Sequence, residues 1–230
     1  MMKGGFTLPL TIAIDGPVGA GKSTISDVVA QRLGILHLDT GAMYRAVGLC
    51  MLDSGVDPKD QETVCALCEE GKALVDVRYE DGAQRTLLNG QDVSTRIRAQ
   101  EVGQAASSVS RYPAVRRMLV RRQQEMAKGQ SMLLDGRDIG TVVLPNATVK
   151  IYLTASPESR ARRRMLQLRE KGDETPFDAI LQEVNARDYQ DMHRETDPLR
   201  QAEDAVLVDS SDLTFDETVS AILSLVEAKK

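Results

Sequence analysis

A glycine-rich segment near the start of the chain has the residue types and the spacing of a phosphate-binding loop. It begins at Gly16, ends in Lys22-Ser23 and matches the pattern GxxxxGK[ST] at every position. The glycines let successive backbone N–H groups point inward at an anion, Lys22 can reach the β- and γ-phosphates, and the Ser23 hydroxyl can ligate Mg²⁺. The predicted contacts to nucleotide phosphate are Gly16, Pro17, Val18, Gly19, Ala20, Gly21, Lys22, Ser23 and Thr24.

The surroundings of this loop narrow the class of protein. An apolar run from Leu10 to Ile14 precedes it as a predicted strand, and a predicted helix from Lys22 to Leu33 follows it. The loop alone leaves kinases, GTPases, motors and pumps open. GTPases carry a DxxG motif and an NKxD or TKxD motif, neither of which occurs here, and motors and pumps usually need longer chains. A small phosphotransferase remains.

A second polar cluster, Leu38 to Arg45, follows the next predicted strand. In a doubly wound sheet, ligands bind at the carboxyl ends of the strands, which is where this cluster would lie. Thr40 and Tyr44 are candidate substrate contacts, and Arg45 can clamp an acceptor phosphate. The alternative for Arg45 is a solvated helix residue, and for Tyr44 packing and ligand contact are more evenly balanced.

A third cluster, Asp135-Gly-Arg137-Asp138, follows the apolar residues Met132 to Leu134. Asp135 sits where nucleotide-binding proteins place a carboxylate for Mg²⁺, so it is predicted to hold the ion through water. Arg137 and Asp138 are candidates for recognising a sugar, a base or a phosphate. The alternative is a structural turn with a local ion pair.

Arginine dominates the basic residues and clusters late in the chain. Of 29 basic residues, 20 are Arg, whose planar fork grips phosphates and carboxylates. One run spans residues 160–164, and Arg187, Asp191 and Arg194 share one face if their helix continues that far. Mobile arginines can neutralise charge that develops during phosphoryl transfer as a lid closes. The alternative is an ordinary charged helix surface.

Composition excludes several other classes. The chain has 230 residues, a net charge of −5 and 3% aromatic residues, so a general nucleic-acid-binding surface is not expected. No apolar run approaches the ~18 residues of a membrane span. Three cysteines do not make a secreted disulfide framework, and the pair Cys65 and Cys68 lacks the partners of a zinc site. We expect a cytoplasmic monomer without membrane or nucleic-acid partners.

The pattern of elements predicts an α/β fold. Strands and helices alternate from Leu10 to Ala73, with a helix predicted over Glu62–Ala73, and again from Pro113 onward, with two late helices predicted over Pro157–Glu170 and Pro176–Tyr189. This alternation indicates a parallel sheet flanked by helices. Between about Leu74 and Ser110, alternating residues and an Asn89-Gly90 hairpin signal predict an antiparallel insertion. The predicted units are a core of residues 1–73, 111–156 and 191–230, an insertion of residues 74–110, and a helical lid of residues 157–190.

Four strings of residues together resemble the bacterial cytidylate kinase family. They are Asp15-Gly-Pro-Val-Gly-Ala-Gly-Lys-Ser-Thr24, Leu38-Asp-Thr-Gly-Ala-Met-Tyr-Arg45, Asp135-Gly-Arg-Asp-Ile-Gly-Thr-Val-Val143, and Arg187-Asp-Tyr-Gln-Asp191 followed by Arg194. The resemblance covers nearly the whole chain. It implies a P-loop NTPase-type fold whose insertion binds the monophosphate, and phosphorylation of CMP and dCMP by ATP with Mg²⁺.

The resemblance also implies roles for single residues. Cytosine would be recognised by Ser107, Arg116 and Asp138. The ribose would contact Arg187 and Asp191, the acceptor phosphate would approach Arg45, Arg137 and Arg194, and Arg162 to Arg164 would belong to the ATP lid. The predicted catalytic set is Lys22, Arg137, Arg187 and Arg194, with Arg162 and Arg163 as further ATP contacts and Ser23 and Asp135 at the metal.

The expected mechanism needs no general base. A phosphate acceptor is already ionised near neutral pH, so catalysis consists of positioning and charge neutralisation. The nearest alternative is another small P-loop kinase acting on UMP, AMP or a hydroxylated metabolite such as shikimate. A nucleotide-dependent regulatory or RNA-binding module is opposed by the acidic charge and the few aromatic residues.

Overall fold

Five parallel strands form the main sheet of the computed structural model, which describes residues 9–170 and 172–229. With all eight strands of the described residues numbered along the chain, these five are β1 (Thr11–Asp15), β2 (Leu36–Asp39), β6 (Met132–Gly136), β7 (Val149–Thr154) and β8 (Val206–Asp209). Across the sheet they follow the order β2-β6-β1-β7-β8. The predicted parallel sheet is confirmed, and its carboxyl edge carries Asp15, Asp39 and Asp135.

Helices cover both faces of this sheet, which explains why its strands are mostly apolar. Ile12 and Ile14 of β1 pack under helices α1 (Lys22–Leu33) and α8 (Phe215–Glu227). Ala13 faces the other way, toward the larger core. That core is built by the helices α2 (Thr40–Asp53), α3 (Gln61–Glu69), α4 (Gln100–Val109) and α5 (Pro113–Ala127).

A small antiparallel sheet confirms the predicted hairpin region. It contains β3 (Val75–Glu80), β4 (Ala83–Leu88) and β5 (Gln91–Asp92). Each connection is a two-residue turn with both residues at positive φ, 51° and 78° at Asp81-Gly82 and 50° and 80° at Asn89-Gly90. Asp-Gly and Asn-Gly favour such turns because Gly has no Cβ and the short polar side chains tolerate this conformation.

The second half of the insertion is helical, so the prediction of antiparallel structure as far as Ser110 is wrong. After Asp92 the chain makes one turn of 3₁₀ helix at Arg96–Arg98 and then forms α4. Helix α4 lies so close to α2 that a Cβ added at Gly48 would meet the Ala106 nitrogen at 2.8 Å. Burial against α2 stabilises this helix more than its Gly- and Ser-containing sequence suggests.

Two predicted helices have different ends in the structure. The helix predicted over Glu62–Ala73 ends at Glu69, because Gly71 adopts φ 71° and the Lys72 N–H returns to the Leu67 carbonyl oxygen at 2.9 Å. The two late helices are α6 (Pro157–Arg169) and α7 (Phe177–His193), the latter one turn longer than predicted.

The proposed division into core, insertion and lid stays a prediction. Residues 1–8 and 230 of the predicted core and residue 171 of the predicted lid lie outside the described residues. Within the described ranges, no helix combines the length and the apolar composition needed to cross a membrane.

Candidate active site

A cleft of about 370 Å³ lies at the carboxyl edge of the parallel sheet. It collects residues from the phosphate loop, from the ends of β2 and β6, and from helices α2, α4, α5 and α7. The predicted site residues that line it are Val18, Gly19, Gly21, Lys22, Ser23, Thr24, Thr40, Tyr44, Arg45, Ser107, Arg116, Asp135, Arg137, Asp138, Arg187, Asp191 and Arg194. The topology therefore brings together four clusters that are far apart in the sequence.

The phosphate loop is closed by its own lysine. Lys22 Nζ donates to the carbonyl oxygens of Gly16 and Pro17, each at 2.7 Å. A Cβ at Gly16 would lie 1.9 Å from the Leu153 carbonyl oxygen, so only glycine fits against β7. Burial and the nearby Arg137 guanidinium lower the pKa of Lys22 to about 7. A phosphate entering the loop would act as a counterion and stabilise the protonated form of Lys22.

Asp135 connects the phosphate loop to β2 and α2. Ser23 Oγ donates to Asp135 Oδ2 at 2.9 Å, and Thr40 Oγ1 donates to the Asp135 carbonyl oxygen at 2.7 Å. The ring of His37 lies between Asp135 Oδ1, 2.8 Å from Nε2, and Asp27 Oδ1, 2.5 Å from Nδ1. Burial opposes the charged forms, but the hydrogen bonds between His37 and the carboxylates prevail, so the pKa of Asp135 is lowered.

The same interactions act on His37. Burial disfavours the imidazolium ion, yet the two carboxylates outweigh that cost and raise the pKa of His37 to about 10. Both ring nitrogens face carboxylate oxygens, which accept hydrogen bonds and cannot donate them when ionised. The ring is therefore protonated and donates in both directions.

Arg116 anchors the far end of the cleft. Its guanidinium is fully buried, donates to Asp138 Oδ2, and donates through Nε to Asp197 Oδ2 at 2.9 Å. Arg194 follows the end of α7, donates through Nε to the Asp197 carbonyl oxygen at 2.8 Å and lies 3.8 Å from Asp138 Oδ1. Burial raises the pKa of Asp138 despite these cations. A carboxylate held between two guanidinium groups can accept a hydrogen bond from an amino group of a polar base, while the guanidinium groups beside it can donate to the acceptors of that base.

Three arginines carry charge toward the middle of the cleft. Arg137 Nε donates to Asp191 Oδ2 at 2.8 Å, and Arg45 Nη1 donates to the Ile97 carbonyl oxygen at 2.8 Å. Burial and the neighbouring Arg137 lower the pKa of Arg187, for which no hydrogen bond or ion pair occurs among the described residues. These like charges, held near each other without a full set of counterions, make the cleft a receptor for polyanions.

Tyr44 and Ser107 complete the wall between α2 and α4. The Tyr44 hydroxyl is buried without a hydrogen-bond partner among the described residues, and burial raises the pKa of this phenol. The Arg116 guanidinium lies 5.7 Å from the centroid of the Tyr44 ring. Ser107 accepts from Gln190 of α7 at both its carbonyl oxygen and its hydroxyl, at 2.8 and 2.9 Å.

The predicted lid arginines point in different directions. Arg162 is exposed, and Arg163 donates to the Ser210 hydroxyl at 3.2 Å after β8, so neither lines the cleft. Arg164 lies beside Arg187 in a small side pocket next to the phosphate loop. Arg160 is buried and donates to the Val18 carbonyl oxygen at 2.9 Å, which makes it part of the support of the loop.

Sequence reasoning missed several residues that shape the site. Asp15 is buried at the end of β1 and accepts from the N–H groups of Ile139 and Gly140, each at 2.7 Å, so it fastens the turn that follows Asp138. Burial raises the pKa of Asp15 to about 6. Its position before Gly16 is a signal, since a charge ending an apolar strand needs a buried partner. Asp197 and His37 stand in no recognised motif.

Comparisons with known proteins agree with this geometry. A cytidylate kinase of Caldicellulosiruptor bescii is 48% identical over 216 residues, 94% of this chain and 95% of that protein. A cytidylate kinase of Lactobacillus johnsonii is 43% identical over 230 residues, 100% of this chain and 99% of that protein. An uncharacterized protein from Eubacterium ventriosum shares the fold at a TM-score of 0.51 and 10% identity, with 95% of this chain and 99% of that chain covered. The family model for cytidylate kinase matches residues 12–228, and the chain belongs to the cytidylate kinase family.

Proposed function

We propose that this enzyme transfers the γ-phosphoryl group of ATP to CMP, and also to dCMP, giving the corresponding diphosphates. The observation that carries the proposal is the cleft itself, in which a phosphate loop faces the buried Arg116–Asp138 pair across a row of arginines. The loop suits the donor triphosphate, and the buried pair suits the polar edge of a base. The family supports the assignment to CMP.

The acceptor contacts are proposed from the position of each side chain. Ser107, Arg116 and Asp138 are assigned to cytosine, because they combine donors and acceptors in a buried wall. Arg187 and Asp191 lie one helical turn apart on α7 and are assigned to the ribose. Arg45, Arg137 and Arg194 are assigned to the acceptor phosphate, since their guanidinium groups converge on the cleft.

The donor side uses the phosphate loop and two oxygen ligands. The Ser23 hydroxyl and the Asp135 carboxylate, 2.9 Å apart, would hold Mg²⁺, with Asp135 acting through water. Hard oxygen donors of this kind fit an ion that keeps most of its other positions for water and phosphate. When bound, Mg²⁺ would neutralise charge on the β- and γ-phosphate oxygens.

The reaction needs positioning and charge neutralisation from the protein. Lys22 at the β- and γ-phosphates, and Arg137, Arg187 and Arg194 around the transferred group, would balance the negative charge on its equatorial oxygens. The acceptor oxygen belongs to an ionised phosphate, so no side chain has to remove a proton. Helix α6, with Arg162 and Arg163, would approach the nucleotide when the lid closes. We expect a cytoplasmic monomer with no nucleic acid or membrane partner.

The first test is release of ADP from Mg²⁺-ATP with CMP, dCMP, UMP, AMP or GMP as separate acceptors. We expect rapid turnover with CMP and dCMP and much slower turnover with the purine nucleotides. Lys22→Met, which keeps the length of the side chain without its charge, should lower kcat by ~10²-fold or more, since it removes a group aimed at the developing charge. Turnover with none of the five acceptors would refute the proposal.

A further inference from the structure

His37 occupies a position that neither the phosphate loop nor the acceptor cleft explains. It lies in the middle of β2 with 7% of its surface exposed, in a sheet whose buried positions are mostly apolar. A buried imidazole is costly unless its nitrogens have partners. Here each nitrogen has one, and both are carboxylates from other elements, Asp27 of α1 and Asp135 of β6.

The two oxygens of the Asp135 carboxylate have different partners, the His37 ring and the Ser23 hydroxyl. Oδ1 lies 2.8 Å from His37 Nε2, and Oδ2 accepts from the Ser23 hydroxyl at 2.9 Å. With one contact on each oxygen, the carboxylate cannot rotate about its Cβ–Cγ bond without losing both hydrogen bonds. By binding Oδ1, His37 therefore fixes the orientation of Oδ2 toward Ser23.

Asp27 fixes the ring in turn. Its carboxylate lies 2.5 Å from His37 Nδ1, and its side chain is 71% exposed, whereas Asp135 is buried. The result is a chain of hydrogen bonds from the surface of α1 to the phosphate loop, through Asp27, His37, Asp135 and Ser23. Outer partners of this kind, which hold a metal-binding carboxylate in place, are worth about 10–100-fold in metal affinity or activity in other sites.

We propose that His37 is a positioning residue for the divalent cation that accompanies ATP, acting by holding the Asp135 carboxylate in the orientation that faces Ser23. His37 itself contacts neither the nucleotide nor the ion in this arrangement. The inference rests on the proposed function, because it assumes that ATP arrives with a cation at Ser23 and Asp135. It adds a residue of β2 and a surface carboxylate of α1 to the machinery of the donor site.

The test compares binding of ATP with and without a metal ion, in the absence of acceptor. Mn²⁺ serves as the probe, and the measured quantity is the ratio of the dissociation constant for ATP in EDTA to that for Mn²⁺-ATP. In His37→Ala we expect this ratio to fall by about 10-fold while the constant for metal-free ATP stays unchanged. In turnover assays, kcat should fall and the KM for CMP should remain constant. A loss of folding would instead raise the dissociation constants of both ATP and Mn²⁺-ATP together with the KM for CMP.

One variant controls for local disturbance, and a second tests rescue. Tyr79→Phe removes a hydrogen bond of 2.9 Å to the backbone carbonyl oxygen of His37 and leaves the ring in place, so the ratio should match that of the wild type. His37→Gln can still donate an N–H toward Asp135 and should recover most of the ratio. Thermal unfolding of each variant establishes that it is folded before binding is measured.

The outcomes separate this inference from the proposed function. An unchanged ratio in a folded His37→Ala variant, from a wild type that phosphorylates CMP and binds Mn²⁺-ATP more tightly than ATP, overturns the role of His37 alone. An equal loss in Tyr79→Phe overturns it as well, since a local packing defect would then explain both. A wild type that phosphorylates none of the acceptors overturns the proposed function.

Discussion

At the scale of single residues, the charge on Lys22 offers the most direct test of the role proposed for it in nucleotide binding. The pKa of this ammonium group is lowered to about 7, first by burial and then by Arg137. Bound phosphates would stabilise the cation and raise that pKa again, so ATP binding takes up a proton wherever free Lys22 is neutral. The affinity for ATP should therefore fall as the pH rises above 7.

The proton uptake can be measured by titration calorimetry in buffers of different ionisation enthalpy. At pH 8, one unit above the pKa, about nine-tenths of free Lys22 is neutral, so the wild type should take up about 0.9 proton more than Lys22→Met; at pH 6 the difference should be about 0.1. The variant serves as the control because ATP itself changes protonation equally in both proteins. Equal uptake by the two proteins at pH 8 would contradict the lowered pKa.

The sequence identified many residues of the site because their motifs carry fixed local geometry. Gly16 to Ser23 can be recognised as a phosphate loop from residue types alone, since its conformation depends on glycine and its chemistry on one lysine. The sequence did not predict the contacts of Asp15, His37 and Asp197, because each of them has a partner more than 80 positions away in the chain. Such contacts exist only in the folded chain, where the sheet brings β1 and β2 beside β6 and the segment after α7 lies against α5. The roles assigned to the site residues, those of the phosphate loop included, stay predictions.

At the scale of elements, Arg160 joins α6 to the end of β7, to the phosphate loop and to α7. From α6 it donates through Nε to the Ala155 carbonyl oxygen, through Nη1 to Val18 of the phosphate loop, and through Nη2 to Asp188 of α7 at 2.6 Å. Both partners of the ion pair are buried. Removing one leaves a buried charge without its counterion, which is far more costly than removing both.

Arg160→Ala should lower the free energy of unfolding by about 3–5 kcal/mol, measured by urea denaturation. The double variant Arg160→Met/Asp188→Leu should recover most of that loss, because apolar side chains of similar size replace the pair. Arg162→Ala, two positions along the same helix but exposed, should change stability by no more than about 0.5 kcal/mol. Similar losses in the Arg160 and Arg162 single variants would show that the pair does not support α6.

The elements themselves were predictable where hydrophobic period and turn chemistry agree. The strands of the parallel sheet and the hairpin at Asn89-Gly90 follow from local sequence. Helix α4 could not be predicted from local sequence, although its apolar residues are buried at helical spacing. They are Val102, Ala105, Ala106 and Val109. Its two serines and one glycine lower helix propensity, so burial against α2, closest at Gly48, has to stabilise it.

At the scale of the whole molecule, the arginines of the cleft are positively charged, whereas the protein as a whole is negatively charged. The chain carries a net charge of −5, while arginines from α2, the 3₁₀ turn, α6 and α7 face one another across the gap between α4 and the late helices. Burial, Arg187 and Arg98 lower the pKa of Arg45, so these cations repel one another in the free enzyme. Phosphate groups of both substrates would replace that repulsion with attraction.

This balance predicts that the late helices close only when both nucleotides are present. Amide hydrogens of residues 157–193 should exchange at least ~10-fold more slowly in the non-reacting complex with Mg²⁺-ADP and CMP than with either ligand alone, because each ligand neutralises only part of the facing charge. Hydrogen-exchange mass spectrometry measures this directly. Peptides from β1 and β6, buried in the sheet, serve as the internal control and should not change. Protection of residues 157–193 that is complete with Mg²⁺-ADP alone would mean that the donor by itself closes the lid, and that the acceptor phosphate has no part in it.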